Sequence, residues 1–166
     1  MSRHSVSLTL NGRPATFDVE ARQSLADAIR GIAGLTGTHL GCEHGACGAC
    51  TVLLDGRPVR GCLIFAVQVE GAAVTTIEGI SPASGLSELQ ESFRRHHALQ
   101  CGFCTPGMVL ALHDLLARHP AASREEITEA ISGNICRCTG YQPIVAAADS
   151  VARANEKRLA TSDDND

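Results

Sequence analysis

Three cysteines crowd into one glycine-rich loop, and they restrict the fold of this 166-residue chain more than any other feature does. Cys42, Cys47 and Cys50 follow the spacing C-x4-C-x2-C, and eleven residues separate the last of them from Cys62. Glycine fills three of the ten positions from 41 to 50, where it permits tight turns and a close approach of the backbone. The chain must therefore fold so that a distant cysteine meets the other three.

This spacing, with its distant fourth cysteine, is the ligand pattern of a plant-type [2Fe–2S] cluster. Two ferric ions, two sulfides and four thiolates sum to a net charge of about −2, so the loop must direct backbone N–H groups at sulfur. Zinc sites favour paired C-x2-C knuckles, and disulfides need an oxidising compartment. We therefore predict a cluster at these four cysteines, with zinc or unligated thiols as the alternatives.

Composition and charge exclude several classes of function. A net charge of −4 disfavours nucleic acid as a partner. No apolar run approaches the roughly 20 residues of a membrane span, and the chain starts directly with strand-like sequence rather than the apolar stretch of a secretory signal. We therefore expect a cytoplasmic protein whose eight cysteines are ligands rather than disulfides.

The N-terminal half has the alternating pattern of short strands, and we predict an α+β fold for residues 1–78. Asn11-Gly12 and Asp55-Gly56 are strong hairpin turns, and Ser24 is the expected cap of a short helix. The predicted elements are strands at Val6–Leu10, Ala15–Val19, Thr51–Leu54, Val59–Ile64 (with Cys62 on it) and Ala73–Ile77, and a helix at Leu25–Arg30. This arrangement resembles the β-grasp fold of plant-type ferredoxins.

The second half changes to the 3.6-residue period of helices. We predict a linker at 79–85, an all-α four-helix bundle at 86–159 and a disordered tail at 160–166. Ser87 with Gln90 and Ser123 with Glu126 form capping boxes, and Thr105 is the expected cap before Pro106. The first helix is expected to end near Leu99, and the fourth is expected to span Pro143–Leu159.

The second half carries its own four cysteines in two interhelical turns. Cys101 and Cys104 lie between the first two helices, and Cys136 and Cys138 lie between the last two. Antiparallel packing brings both turns to one end of the bundle, where the helix N-termini starting just after Cys104 and Cys138 favour thiolates. The spacing suits structural zinc as well as it suits iron–sulfur. A redox-active dithiol formed by Cys101 and Cys104 is a weaker third alternative, because no thioredoxin-like βαβ pattern surrounds these residues.

Two longer motifs surround these cysteines. Residues 100–107, QCGFCTPG, and residues 133–141, GNICRCTGY, resemble signatures of the small iron–sulfur subunit of molybdenum hydroxylases, the family of xanthine oxidase, aldehyde oxidase and carbon monoxide dehydrogenase. The resemblance covers about Val6–Ala154, with both cysteine sets in order. It implies that Cys101, Cys104, Cys136 and Cys138 hold a second [2Fe–2S] cluster.

The resemblance also implies a place in a larger complex. Gln100 and Cys138 match positions that contact a molybdopterin, in its cytosine dinucleotide form, bound by a separate large subunit. The N-terminal cluster would pass electrons to FAD in a medium subunit, and relatives suggest a dimer of heterotrimers. The chain would then be an electron-transfer subunit with no substrate site of its own. The alternatives are a free-standing two-cluster ferredoxin and a zinc-bearing interaction module.

Overall fold

A five-stranded mixed sheet forms the first half of the chain in the computed structural model, which describes residues 2–163. The strands are β1 (Arg3–Leu10), β2 (Arg13–Glu20), β3 (Thr51–Leu54), β4 (Arg57–Arg60) and β5 (Ala73–Thr75). Their order is β2-β1-β5-β3-β4, with β1 and β5 parallel and the other neighbours antiparallel. Two hairpins flank the central β5, and helix α1 (Leu25–Gly31) crosses the sheet. This is the predicted β-grasp arrangement, called here the N-terminal half.

Both hairpin turns adopt the conformation that their sequences predict. Asn11 and Gly12 have φ of +50° and +76°, and Asp55 and Gly56 have +48° and +78°. Positive φ at both central residues is the requirement of a type I′ turn, whose twist matches that of the flanking strands. Each turn fixes its strand register and therefore decides which face of the strand meets α1.

The sheet and α1 enclose the first core. The side chain of Ser24 accepts a hydrogen bond from Asp27 N and caps α1, as predicted. The buried apolar side chains alternate along the strands and recur on one face of α1, and they include Val6, Leu8, Leu10, Phe17, Val19, Leu25, Ala28, Ile29, Val52 and Val74. Because aromatic residues make up only 3% of the chain, aliphatic side chains supply most of this core.

Five helices form the second half of the chain, called here the helical half. They are α2 (Ile77–Ile80), α3 (Glu88–Arg95), α4 (Thr105–Arg118), α5 (Arg124–Ala130) and α6 (Gln142–Asp163). Both predicted capping boxes are present, at Ser87 with Gln90 and at Ser123 with Glu126. The four longer helices bury one shared core that includes Leu89, Phe93, Met108, Leu112, Leu115, Ile127, Ile131, Ile144, Ala148 and Val151. The all-α bundle was therefore predicted correctly.

Cys62 does not lie on the return strand where the sequence pattern placed it. Strand β4 ends at Arg60, and Cys62 lies in a single 3₁₀ turn, Gly61–Leu63. The apolar pattern continues past the strand because Ile64 serves a different partner: its carbonyl oxygen accepts a hydrogen bond of 2.7 Å from Leu25 N at the start of α1. The segment therefore turns away from β3 and toward the helix.

Helix α3 ends at Arg95, earlier than the predicted end near Leu99. His97 adopts a φ of +50°, and Ala98 N donates to the carbonyl oxygen of Phe93 at 2.9 Å. This is the pattern of a Schellman motif, which usually uses glycine at the left-handed position. A histidine there gives no recognisable stop signal in the sequence.

Thr105 is the first residue of α4 rather than its cap, which is Cys104. The chain reverses at Gly102, whose φ is +82°, and Thr105 N donates to the Gly102 carbonyl oxygen at 3.1 Å. The turn before the helix is therefore closed by the backbone, and no side-chain cap is formed. The Thr105 hydroxyl is buried without a hydrogen-bond partner among the described residues.

The connection between the halves is more ordered than its composition suggests. The predicted strand to Ile77 ends at Thr75, and the chain enters α2 before the break predicted at residue 79. Ile77 and Ile80 pack against the helical core, which explains the extra turn. The division of the chain at residues 78 and 86 remains a prediction.

Helix α6 runs to Asp163, beyond the predicted end near Leu159. Residues 160–163 are therefore helical rather than a disordered tail, and 164–166 lie outside the described residues. The Ser- and Asp-rich composition misled the prediction, because a helix already nucleated upstream extends at little cost per residue. Among residues 2–163, no helix is both long and apolar enough to cross a membrane.

Candidate metal centres

The four cysteines of the N-terminal half converge on one loop between α1 and β3. Cys47 N points at the sulfur of Cys42, with a distance of 3.4 Å. The Cys50 thiol lies against the thiol of Cys62. Gly61 N donates to the Cys50 carbonyl oxygen at 3.1 Å and so fastens the 3₁₀ turn to the loop. The thiols thus form two pairs, Cys42 with Cys47 and Cys50 with Cys62.

Glycine is required at two positions of this loop, as its composition predicted. Gly45 and Gly48 have φ of +86° and +74°. A Cβ at Gly45 would lie 2.6 Å from Leu63 Cδ1, and one at Gly48 would lie 2.6 Å from the carbonyl oxygen of Gly133. The positive φ would strain a side chain at either position. At Gly45 the new side chain would displace only the end of the exposed Leu63 side chain, whereas at Gly48 a backbone atom of the helical half would have to move.

The two kinds of thiol in this loop differ in their readiness to ionise. The backbone N–H of His44, followed by that of Cys47, lowers the pKa of Cys42 to about 6. Burial raises the pKa of Cys50 to about 11. The first thiol is therefore stabilised as a thiolate by the loop itself, whereas the second needs the charge of a bound metal ion to ionise.

The cysteines of the helical half also meet, at the end of the bundle where the sequence placed them. The sulfur atoms of Cys101 and Cys138 lie 3.6 Å apart, and the Cys104 thiol lies against that of Cys136. Two thiolates bound at about 2.3 Å to one tetrahedral metal lie roughly 3.8 Å apart, so this spacing suits such a pair. The second site thus repeats the two-pair arrangement of the first.

Thr139 and Tyr141, both within the GNICRCTGY motif, contact Cys136. The Thr139 hydroxyl lies 3.0 Å from the sulfur of Cys136, and Cys136 N donates to the Tyr141 hydroxyl at 2.9 Å. Burial of Cys136 opposes ionisation, but the hydrogen bonds from Thr139, from the Cys138 backbone and from the Cys104 side chain together lower the pKa of this thiol. Burial instead raises the pKa of Cys104 to about 12.

The expectation about helix N-termini is met at one of the two turns. Helix α4 begins immediately after Cys104, as predicted. Helix α6 begins only at Gln142, because the preceding Gly140 and Tyr141 have positive φ and fold the segment after Cys138 into a separate turn. The positive end of α6 is therefore further from its cysteines than the sequence suggested.

One face of the second site is open. Gln100, Cys101 and Cys138 are exposed, whereas Cys136 is buried. Apolar side chains around them are also exposed: Leu99 by 41%, Phe103 by 46% and Ile135 by 52%. A cavity of about 240 Å³ opens here, and its lining includes Cys47, Ala49, Cys101, Phe103, Cys136 and Cys138. Exposed apolar patches of this kind commonly mark interaction sites.

A hydrogen bond joins the two sites directly. Ile135 N donates to the carbonyl oxygen of Cys47 at 2.9 Å. Cys47 belongs to the first set of cysteines, and Ile135 directly precedes Cys136 of the second set. Two backbone segments and one hydrogen bond therefore connect Cys47 with Cys136.

Polar side chains surround this bond, and no local sequence pattern predicts their contacts. The Asn134 amide donates to the Gly48 carbonyl oxygen at 3.0 Å, and an Arg60 nitrogen donates to the Gly133 carbonyl oxygen at 2.6 Å. Asn134 falls within the GNICRCTGY motif, but the partners of its side chain are 74 or more positions away. Contacts this distant leave no periodic or local signal in a single sequence.

Helix α4 is in van der Waals contact with the first loop at Gly107, and replacing this residue by alanine tests the contact. The added Cβ would strike the carbonyl oxygen of Gly48 well inside contact distance. Because a backbone atom must then move, we expect a loss of about 1–3 kcal/mol in the free energy of unfolding. Denaturant unfolding followed by circular dichroism measures this loss.

Gly31→Ala is the matched control for this substitution. Gly31 is exposed at the end of α1, and a Cβ there would meet no atom within 4 Å. The change should stabilise the chain by roughly 0.5–1 kcal/mol, because alanine loses less backbone entropy in a helix. Equal effects from Gly31→Ala and Gly107→Ala would contradict a tight contact between the halves.

Two protein-family models match successive parts of the chain. A model described as "2Fe-2S iron-sulfur cluster binding domain" matches residues 8–74. A second, described as "[2Fe-2S] binding domain", matches residues 76–149. The fold, the paired thiols and these matches together define a protein with two [2Fe–2S]-binding domains.

Comparison with individual proteins identifies the family within this class. The nicotine 6-hydroxylase small subunit of Paenarthrobacter nicotinovorans is 53% identical, with 87% of each chain covered. The caffeine dehydrogenase subunit gamma of Pseudomonas sp. strain CBB1 is 49% identical, with 94% of this chain and 95% of that one covered. A crystal structure of quinoline 2-oxidoreductase from Pseudomonas putida 86 matches with a TM-score of 0.90 and 53% identity, covering 95% of this chain and 98% of that one.

The chain therefore belongs to the family of small iron–sulfur subunits of molybdenum hydroxylases. It is the iron–sulfur subunit of an oxidoreductase, and its two [2Fe–2S]-binding domains follow each other in the order predicted from the cysteine motifs.

Proposed function

We propose that this chain relays single electrons from a molybdopterin in a large subunit, through two [2Fe–2S] clusters, to FAD in a medium subunit. The observation that carries the proposal is the pair of cysteine quartets joined by the Ile135–Cys47 hydrogen bond. The clusters supply one-electron redox chemistry, and the chain holds and spaces them. We further propose that the complex is a dimer of such heterotrimers and works in the cytoplasm.

The chemistry of the two donor sets fits a di-iron cluster. Cys42, Cys47, Cys50 and Cys62 would hold one cluster, and Cys101, Cys104, Cys136 and Cys138 the other. Each quartet falls into two pairs of thiols, as two tetrahedral irons bridged by sulfide require. Among residues 2–163 the buried hydroxyl of Thr105, which follows Cys104 in the chain, has no hydrogen-bond partner, and this supports a bound group at the second site.

The exposure of the second quartet supports the direction of transfer. Gln100, Cys101 and Cys138 lie on the open face, so a cofactor in a docked subunit could reach Gln100 and Cys138 there. Exposed Leu99, Phe103 and Ile135 give that face an apolar border that a large subunit would cover. We assign this face to the large subunit that binds the molybdopterin. We propose that this cofactor is in its cytosine dinucleotide form.

Electron paramagnetic resonance and metal analysis of the full chain, purified without oxygen, test the proposal. We expect about four irons per chain and two distinct rhombic signals after reduction. Stoichiometric zinc in a colourless protein would overturn it in favour of a zinc-bearing interaction module. Iron without co-purifying molybdenum and flavin subunits would favour a free-standing two-cluster ferredoxin.

Replacing Gln100 by alanine tests the assigned pterin contact. Gln100 is exposed and is not one of the proposed ligands, so both clusters should remain. Loss of one neutral hydrogen bond across the interface should lower turnover of the complex roughly two- to tenfold. Substrate-dependent reduction of the clusters, measured by absorption in the purified complex, gives this rate.

Lys157→Ala provides the control, because Lys157 is exposed toward the other end of α6. This variant should assemble and turn over normally. If Gln100→Ala behaves in the same way, the assigned contact is wrong, whereas the relay itself is not affected.

A further inference from the structure

The side chain of Arg60 reaches from the N-terminal half into the helical half. Its Nη2 donates to the Gly133 carbonyl oxygen at 2.6 Å and to Asn134 Oδ1 at 3.3 Å. Arg60 stands two residues before Cys62, and Asn134 stands two residues before Cys136. One guanidinium therefore ties together two segments that each carry a proposed cluster ligand.

The partners of Arg60 form a closed hydrogen-bond network. Thr51 and Asn134 are 1% and 2% exposed. The Thr51 hydroxyl accepts from Arg60 Nη1 and from the Asn134 amide, and it donates to the Gly48 carbonyl oxygen at 2.7 Å. Without Arg60, the Asn134 oxygen would lose the donor it has here while remaining buried, which is unfavourable. The network is thus stable only when both halves are in place.

This network borders both ends of the hydrogen bond between the two sites. Gly48 follows Cys47, whose carbonyl oxygen accepts that bond, and Asn134 precedes Ile135, whose N–H donates it. Asn134 also holds Gly48 directly, at 3.0 Å. Any shift of Asn134 away from Gly48 would therefore lengthen the bond between Ile135 and Cys47.

We propose that Arg60 is a positioning residue for electron transfer between the two clusters. It holds the loop of Gly133 and Asn134 against the loop of Gly48, and so keeps the Ile135–Cys47 bridge closed. With both clusters bound, one electron would pass from the helical-half cluster to the N-terminal cluster, oxidising the first and reducing the second, and Arg60 would hold the two ligand-bearing loops at a fixed separation. This role rests on the function proposed above.

Three variants of the full chain, purified without oxygen, test this role. Arg60→Ala removes the guanidinium. Gly133→Ala keeps it but displaces it, because the new Cβ would lie 2.6 Å from Arg60 Nη2. Arg57→Ala, on the same strand, removes an equal charge from an exposed position and is the control. After flash photoreduction, rapid-freeze electron paramagnetic resonance follows the electron from one cluster signal to the other.

Arg60→Ala and Gly133→Ala should both slow the transfer several-fold and weaken the magnetic interaction between the reduced clusters. Arg57→Ala should change neither. The double variant should be no slower than Arg60→Ala alone, because both substitutions act on one contact. The iron content of each variant is measured alongside. If Arg60→Ala loses iron, the rate of electron transfer in Gly133→Ala decides whether the role of Arg60 stands.

Unchanged transfer and unchanged magnetic interaction in iron-replete Arg60→Ala or Gly133→Ala would overturn the role of Arg60. Equal slowing by Arg57→Ala would also overturn it, because the effect would then be one of charge rather than of position. Failure of the proposed function is seen in the unmodified chain instead, which would contain no iron, or would contain iron but not co-purify with molybdenum and flavin subunits.

Discussion

Replacing Cys47 by serine is expected to lower the iron content from about four to about two atoms per chain and to stop electrons from leaving the complex. Cys47 pairs with Cys42 in the first quartet, and a hydroxyl is a harder and far less acidic ligand than a thiol. The helical half buries its own core, so its cluster should remain. Substrate should still reduce that cluster, but transfer to an external acceptor should fall to background.

Iron analysis, electron paramagnetic resonance and turnover with an artificial acceptor measure these effects together. Ala46→Ser is the matched control, because it places a hydroxyl at the exposed neighbouring position and leaves every thiol intact. Cys47→Ala should reproduce the losses of Cys47→Ser. Full iron and both signals in either Cys47 variant would contradict the assigned ligand set.

Replacing Phe93 by alanine is expected to produce the largest loss of stability, about 3–5 kcal/mol. Phe93 is 1% exposed and lies within the core shared by the helices. Removing its ring creates a cavity that the surrounding side chains fill only in part. Since domains of this size are stable by only about 5–15 kcal/mol, the variant should be close to unfolding at growth temperature.

Denaturant unfolding of the apo and cluster-loaded chain measures this loss. Phe65→Ala is the control, because Phe65 is 49% exposed and its truncation should cost about 1 kcal/mol or less. A loss at Phe93 as small as the loss at Phe65 would mean that the helical core is not packed as described.

Local sequence signals predicted most of the helices, strands and turns, and also which cysteines come together at each site. The type I′ turns at Asn11-Gly12 and Asp55-Gly56 and the capping boxes at Ser87 and Ser123 depend on neighbouring residues only, so they were readable from the sequence. The cysteine spacing predicted the first quartet, whereas the second was assigned from the family resemblance, and the role of both quartets as cluster ligands stays a prediction. Their convergence also followed from the order of the helices.

The errors arose where a distant partner decides the local conformation. The apolar residues after Arg60 look like a strand, but Ile64 bonds to the start of α1 and not to β3. His97 ends α3 in a conformation that usually requires glycine. Arg60 and Asn134 meet across more than 70 positions, and their side chains carry no mark of that contact in the sequence.

The backbone contact between Gly48 and Gly107 has a consequence for the evolution of such chains. A foreign helical half with a side chain at the position of Gly107 would bring its Cβ against the Gly48 carbonyl oxygen and could not approach the N-terminal half as closely. Recombination at the link between the halves would then produce chimeras whose two halves fit poorly together and exchange electrons slowly. A useful exchange would therefore have to carry both loops together.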